Sequence, residues 1–208
     1  MLRVPNFLTV PSAYVAFGLL LFIALVPRVS NAHEFVFEFR AVGAESDEIL
    51  TDALRGFLLA TVERDGHANE ASNGHLGGLD VYIIPQPASV AANFPELKQA
   101  PYDRPDIVAV IGPEADVESA LDPVGGESVY LSAGRLHPDN VWATGDGLES
   151  GDFAARYTTE FGQPPSQWAA RGYNIARRIE AAVRPLGGVN DRAALERAFA
   201  DSAEGLRW

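Results

Sequence analysis

The sequence predicts an α/β domain, a parallel sheet of four or five strands with helices on both faces. Three observations point there. Short apolar runs alternate with segments of helical period, the inner runs are apolar on both faces, and the last third of the chain is helical. Crossovers in such a sheet are right-handed, and a ligand belongs beyond the carboxyl ends of the strands.

The elements follow in order. In "EFVFEFRAVG" Phe35, Phe37 and Phe39 share one face, opposite Val36, Glu38 and Arg40, which is the period of a strand. Ser46 or Asp47 can cap a helix running to Arg64, with Ile49, Leu50, Ala53, Leu54, Phe57, Leu58 and Val62 as its apolar stripe. "RDGHANEASNGHLGG" is loop, and its glycines permit positive φ in the turn before the next strand. That strand is "LDVYIIP", ended by Pro85. The proline-punctuated stretch after it holds one short helix around Ala88 to Phe94. "DIVAVIGP" is a third strand with the composition of a sheet interior, Glu114 to Leu121 a helix of at most two turns, and "ESVYLSAG" a fourth strand. Val141 to Ala143 is the candidate fifth.

The helical third begins where Asp152 can cap a segment with Phe153, Tyr157 and Phe161 in line, stopped by "GQPP". Ser166 caps a longer helix whose buried stripe is Trp168, Gly172, Ile175, Ala176, Ile179, Ala182 and Val183. Arg171, Asn174, Arg177 and Arg178 are then expected on its outer face. "RPLGGVN" ends it, and Asp191 to Ala203 forms a last helix with Leu195, Ala198 and Phe199 inside.

Residues 1–32 stand apart. Arg3, the uncharged apolar run Ala13 to Val26, and small residues Ser30 and Ala32 before His33 have the layout of a secretory signal peptide. The run is shorter than the roughly 20 apolar residues of a membrane span, with an uncleaved N-terminal anchor as the alternative. Either way residues 33–208 form a single α/β domain that is periplasmic or otherwise extracytoplasmic. A net charge of −12, with Lys98 the only lysine, excludes a basic nucleic-acid footprint.

The chain carries no recognisable catalytic motif. Gly74, Gly77 and Gly78 precede a strand rather than open a helix, so they do not form a dinucleotide cradle. His33, His67, His75 and His137 lack ligand spacing, and there is no cysteine nucleophile and no GxSxG elbow. No catalytic residue, metal or cofactor is expected. What remains are the loops after the strands, which should converge. They bring Ser46 after the first strand, Glu114 and Asp116 after the third, and Ser132 and Arg135 after the fourth. Asp116 and Arg135 could grip a small polar or zwitterionic ligand.

These same segments carry a resemblance. "ALRGFLLATVERDG", "NGHLGGLDVYIIPQP", "PDIVAVIGPEADVESA" and "ESVYLSAGR" follow the order of the first lobe of type 1 periplasmic solute-binding proteins, the leucine/isoleucine/valine-binding family. "FAARYTTEFGQPPSQWAARGYNIARRIEAAVRPLGG" resembles that family's late helical segment. The resemblance implies the substrate-binding component, or a reduced relative, of an ABC-type transporter for amino acids or small polar organic solutes. Leu136 to Gly151 is too short for a second lobe, so the chain is shortened to about one. Aligned to the family, Asp116 and Arg135 stand where hydroxyl residues commonly hold the ligand. The alternative is a non-transport accessory protein that docks a partner, or a second copy, through the exposed half-cleft, with Tyr130, Leu131, Trp142 and Leu148 as candidate surface.

Overall fold

The structure is a computed structural model and describes residues 33–65, 71–121, 127–143 and 152–208. Residues 1–32, where a signal segment is expected, and His67 and Leu148 lie outside them. His33–Trp208 form one compact unit.

Strand β1 (Glu34–Ala41) lies at the centre of a five-stranded sheet of order β2-β3-β1-β4-β5. It pairs in parallel with β3 (Leu79–Gln86) on one side and β4 (Ile107–Ile111) on the other, and β4 pairs in parallel with β5 (Val129–Ser132). The four strands read from the apolar runs all form. The fifth strand is not Val141 to Ala143, which takes no strand conformation. It is β2 (His75–Leu76), and it runs antiparallel to β3, so the sheet is mixed rather than purely parallel. The reason is the glycine pair between them. Gly77 and Gly78 have φ of 65° and 89°, the two positive values a two-residue hairpin turn requires. So short a connection can return a strand only antiparallel, because a parallel return needs a crossover.

The β1 phenylalanines point to one face, where Phe37 stacks on Phe57 of helix α1 (Ser46–Asp65) with ring centroids 4.5 Å apart. Helices α1, α4 (Gln167–Leu186) and α5 (Arg192–Asp201) fill this side with one apolar core that includes Leu50, Leu54, Ile175, Ile179, Leu195 and Phe199. Val62, expected in the α1 stripe, is exposed, while Leu59 and Ala60 are buried instead. Across the sheet, Val110 stands in register with Arg40, opposite the phenylalanine side. It shares a cleft with Val117 of the short helix α2 (Glu114–Ala120) and with Leu121. Helix α3 (Phe153–Phe161) places Phe153 against Tyr173 of α4 and against Tyr157, and ends at Gly162 in the left-handed conformation. Ser166 caps α4 as expected, its hydroxyl oxygen accepting from the backbone N–H groups of Trp168 and Ala169.

Helices α1 and α4 touch backbone to backbone. A Cβ on Gly56 would sit 1.9 Å from the carbonyl oxygen of Ala169, and a Cβ on Gly172 would sit 1.9 Å from that of Ala53. Each helix thus offers an alanine and, three residues on, a glycine, and the pairs are reciprocal. Intrinsic propensity favours alanine over glycine in a helix interior by about 1 kcal/mol. At these two positions the clash must outweigh it, because the obstructing atoms are main chain. Gly172→Ala is therefore expected to lose roughly 2–3 kcal/mol of stability. Urea unfolding of the variant beside the parent checks the sign as well as the size.

Candidate functional site

The carboxyl ends of β1, β4 and β5 emerge at one end of the sheet, and their loops behave differently. Between β1 and β4 the loops are closed on each other. Val42 N–H donates to Ile111 O at 2.9 Å. A Cβ on Gly112 would lie 2.4 Å from Val42 O, and a Cβ on Gly43 would lie 3.0 Å from the Pro113 ring and 3.1 Å from an Asp116 carboxylate oxygen. This seam leaves no room for a ligand. Space opens one strand further on, between β4 and β5, as a cleft of about 680 Å³.

Val110 and Ile111 line the cleft at the end of β4. One wall is the loop from Gly112 with α2, bringing Glu114, Val117 and Glu118. The other is the segment Ser132 to Arg135 together with the first turns of α4, which bring Gln167, Trp168 and Arg171. The Arg171 guanidinium lies 5.3 Å from the centre of the Trp168 ring, a cation–π stack within the wall. Arg135 is strongly exposed and faces Glu204 at 3.4 Å, a weak pair in water.

Three of the five expected site residues, Glu114, Ser132 and Arg135, line this cleft. Asp116 does not, because it belongs to the β1–β4 seam beside Gly43. Ser46 lines a separate hollow of about 420 Å³ with Glu38, Arg40 and Gln86. Glu118, Gln167, Trp168 and Arg171 were not expected. Glu118 follows Glu114 by one helical turn and so shares its face. Trp168 counted as core from its place in the apolar stripe, yet it is half-buried at the cleft.

At Ser132 the strand β5 ends, and Ala133 to Arg135 continue the wall as irregular backbone beyond the sheet. Helix α4 supplies donors to the carbonyls of this stretch. Asn174 Nδ2 donates to Ala133 O at 3.0 Å and to Arg135 O at 3.3 Å, and its Oδ1 accepts from Trp208 Nε1 at 2.7 Å. Arg178, one turn on, donates to Ser132 O and Phe199 O, both at 2.5 Å, and to Ser202 Oγ at 3.0 Å. Both side chains were expected to face outward and both are buried, because these carbonyls need donors where water is excluded. Burial pulls the Arg178 guanidinium down to about 10, so it stays charged at neutral pH. Among the described residues no carboxylate forms an ion pair with it. Gly134, at φ 67°, passes so close that a Cβ there would lie 2.7 Å from Arg178 Nη1.

Other features bear on the alternatives. Leu131 is buried, and Tyr130 and Trp142 are half-buried. Among the described residues no group of three or more His, Asp or Glu side chains could hold a metal ion. No helix among them is long and apolar enough to cross a membrane. No family model, curated protein or solved structure matches the chain.

Asn174→Leu keeps the branched outline of the side chain, though not its volume, and removes every hydrogen bond it makes. It leaves two wall carbonyls without this donor and the Trp208 indole N–H without its acceptor. The expected cost is roughly 2–4 kcal/mol, read from denaturant midpoints at unchanged slope.

Proposed function

We propose that the chain is an exported solute-binding protein that holds a small polar solute in the β4–β5 cleft and presents it to a membrane transporter. The observation that carries this reading is the cleft's composition. A partly exposed apolar lining of Val117, Leu121 and Trp168 accompanies two acids on one wall and two arginines on the other, at the carboxyl end of a mostly parallel sheet. Sites for small organic solutes combine an apolar lining with a few placed charges in this way. The signal-like first 32 residues and the resemblance to type 1 periplasmic binding proteins support the export and transport parts of the proposal.

On this reading α4 supplies the wall opposite α2. A cleft built this way leaves part of the solute in water, and affinities of about micromolar to millimolar are expected.

Trp168 makes the site observable. Titration with a panel of amino acids and small organic acids is expected to change tryptophan fluorescence saturably, and Trp168→Phe to abolish the change while calorimetric binding persists. In two-dimensional NMR the shifted amides should be those of Gly112, Gly134 and their neighbours. Saturable shifts gathered instead around Ser46 and Gln86 would move the site. No binding across the panel would remove the proposal.

A further inference from the structure

A guanidinium taken partly out of water needs acceptors for its N–H groups. Among the described residues, the half-buried arginines other than Arg171 all have an acid. Arg40 pairs with Glu38, Arg55 with Asp52, Arg156 with Glu63 and Arg177 with Glu180, each within 3.3 Å. Arg178, buried outright, is held by two carbonyls and a hydroxyl. Arg171 is the exception. It is half-buried at the cleft, and among the described residues its side chain forms no ion pair and no hydrogen bond. Its partner is the Trp168 ring, 5.3 Å away, which steadies the charge but offers no oxygen to the N–H fork. Acids are not in short supply, with 28 against 16 lysines and arginines.

Taking the solute-binding reading as its basis, we infer that Arg171 is the seat of the solute's carboxylate. A guanidinium fork matches a carboxylate with two parallel N–H···O bonds, and the stack on Trp168 holds the fork in place before the ligand arrives. The partly exposed Val117, Leu121 and Trp168 give the same cleft an apolar lining for a carbon skeleton. Arg135, the residue that alignment to the family selects, is a poorer seat. Its side chain is 79% exposed and already faces Glu204, so it is hydrated and answered. Glu114 and Glu118 line the cleft as well, and they repel a phosphate dianion about twice as strongly as a carboxylate.

The test is isothermal calorimetry on the full chain with leucine and pentanoate, joined by the tightest carboxylate of the wider panel, and with pentanamide and inorganic phosphate as controls. The best carboxylate is expected to bind about tenfold or more tightly than either control. Arg171→Gln should weaken it about tenfold or more, Arg171→Lys by less, since the charge stays and the fork goes, and Arg135→Gln by no more than about twofold. Arg171 leaves no carboxylate orphaned and Arg135 is exposed, so these variants are expected to fold, and circular dichroism verifies it. A control bound as tightly as the best carboxylate, indifference of that carboxylate to Arg171→Gln, or an equal loss in Arg135→Gln overturns the seat and leaves solute binding standing. Silence from these solutes and from the wider panel removes both.

Discussion

The close crossing of α1 and α4 is the contact on which the rest depends. Ala53 and Gly56 meet Gly172 and Ala169 with main chain against main chain. This brings α4 deep enough for Asn174 and Arg178 to reach the segment that leaves β5. With bulkier residues at the crossing, α4 would ride higher, and the carbonyls of Ser132, Ala133 and Arg135 would lose their donors. Since unsatisfied buried carbonyls cost far more than a hydrogen bond gains, the cleft wall and the helix crossing stand or fall together.

The same arrangement decides where the cleft lies. In an open sheet the crevice is expected where the connections diverge to opposite sides, here between β1 and β4. Gly43 and Gly112 close that seam by letting Val42, Pro113 and Asp116 approach. The open volume is displaced by one strand, to a place that α4 walls on the far side. Asp116 and Ser46 sit at the correct end of the sheet yet outside the cleft. Strands lie about 4.8 Å apart, so loops sharing one end of a five-stranded sheet do not all reach one small ligand.

Most of the framework is legible in the chain because period carries it. The alternating phenylalanines of β1, the apolar run of β4 and the stripe of α4 each span enough residues to show their repeat. Strand β2 does not, having two residues, and only the glycine pair after it hints at a hairpin. Asn174 and Arg178 escaped for another reason. A stripe defined by apolar residues sends every polar one outward, and the carbonyls that hold these two inside belong to a segment about forty residues earlier. Gly56 reads locally as a flaw in a helix, and its value appears only against Ala169. The Trp168–Arg171 pair was visible as a helical i, i+3 spacing, but its exposure depends on where the β5 exit runs.

The central claim is that α4 is locked to α1 and carries the cleft wall with it. Native-state hydrogen exchange measures this directly. If the claim holds, amides of α1 around Phe57 and of α4 around Ala176 exchange only through global unfolding, with one shared free energy. If α4 instead opens at markedly lower free energy while α1 and the sheet stay protected, the wall is not anchored as described and the account fails.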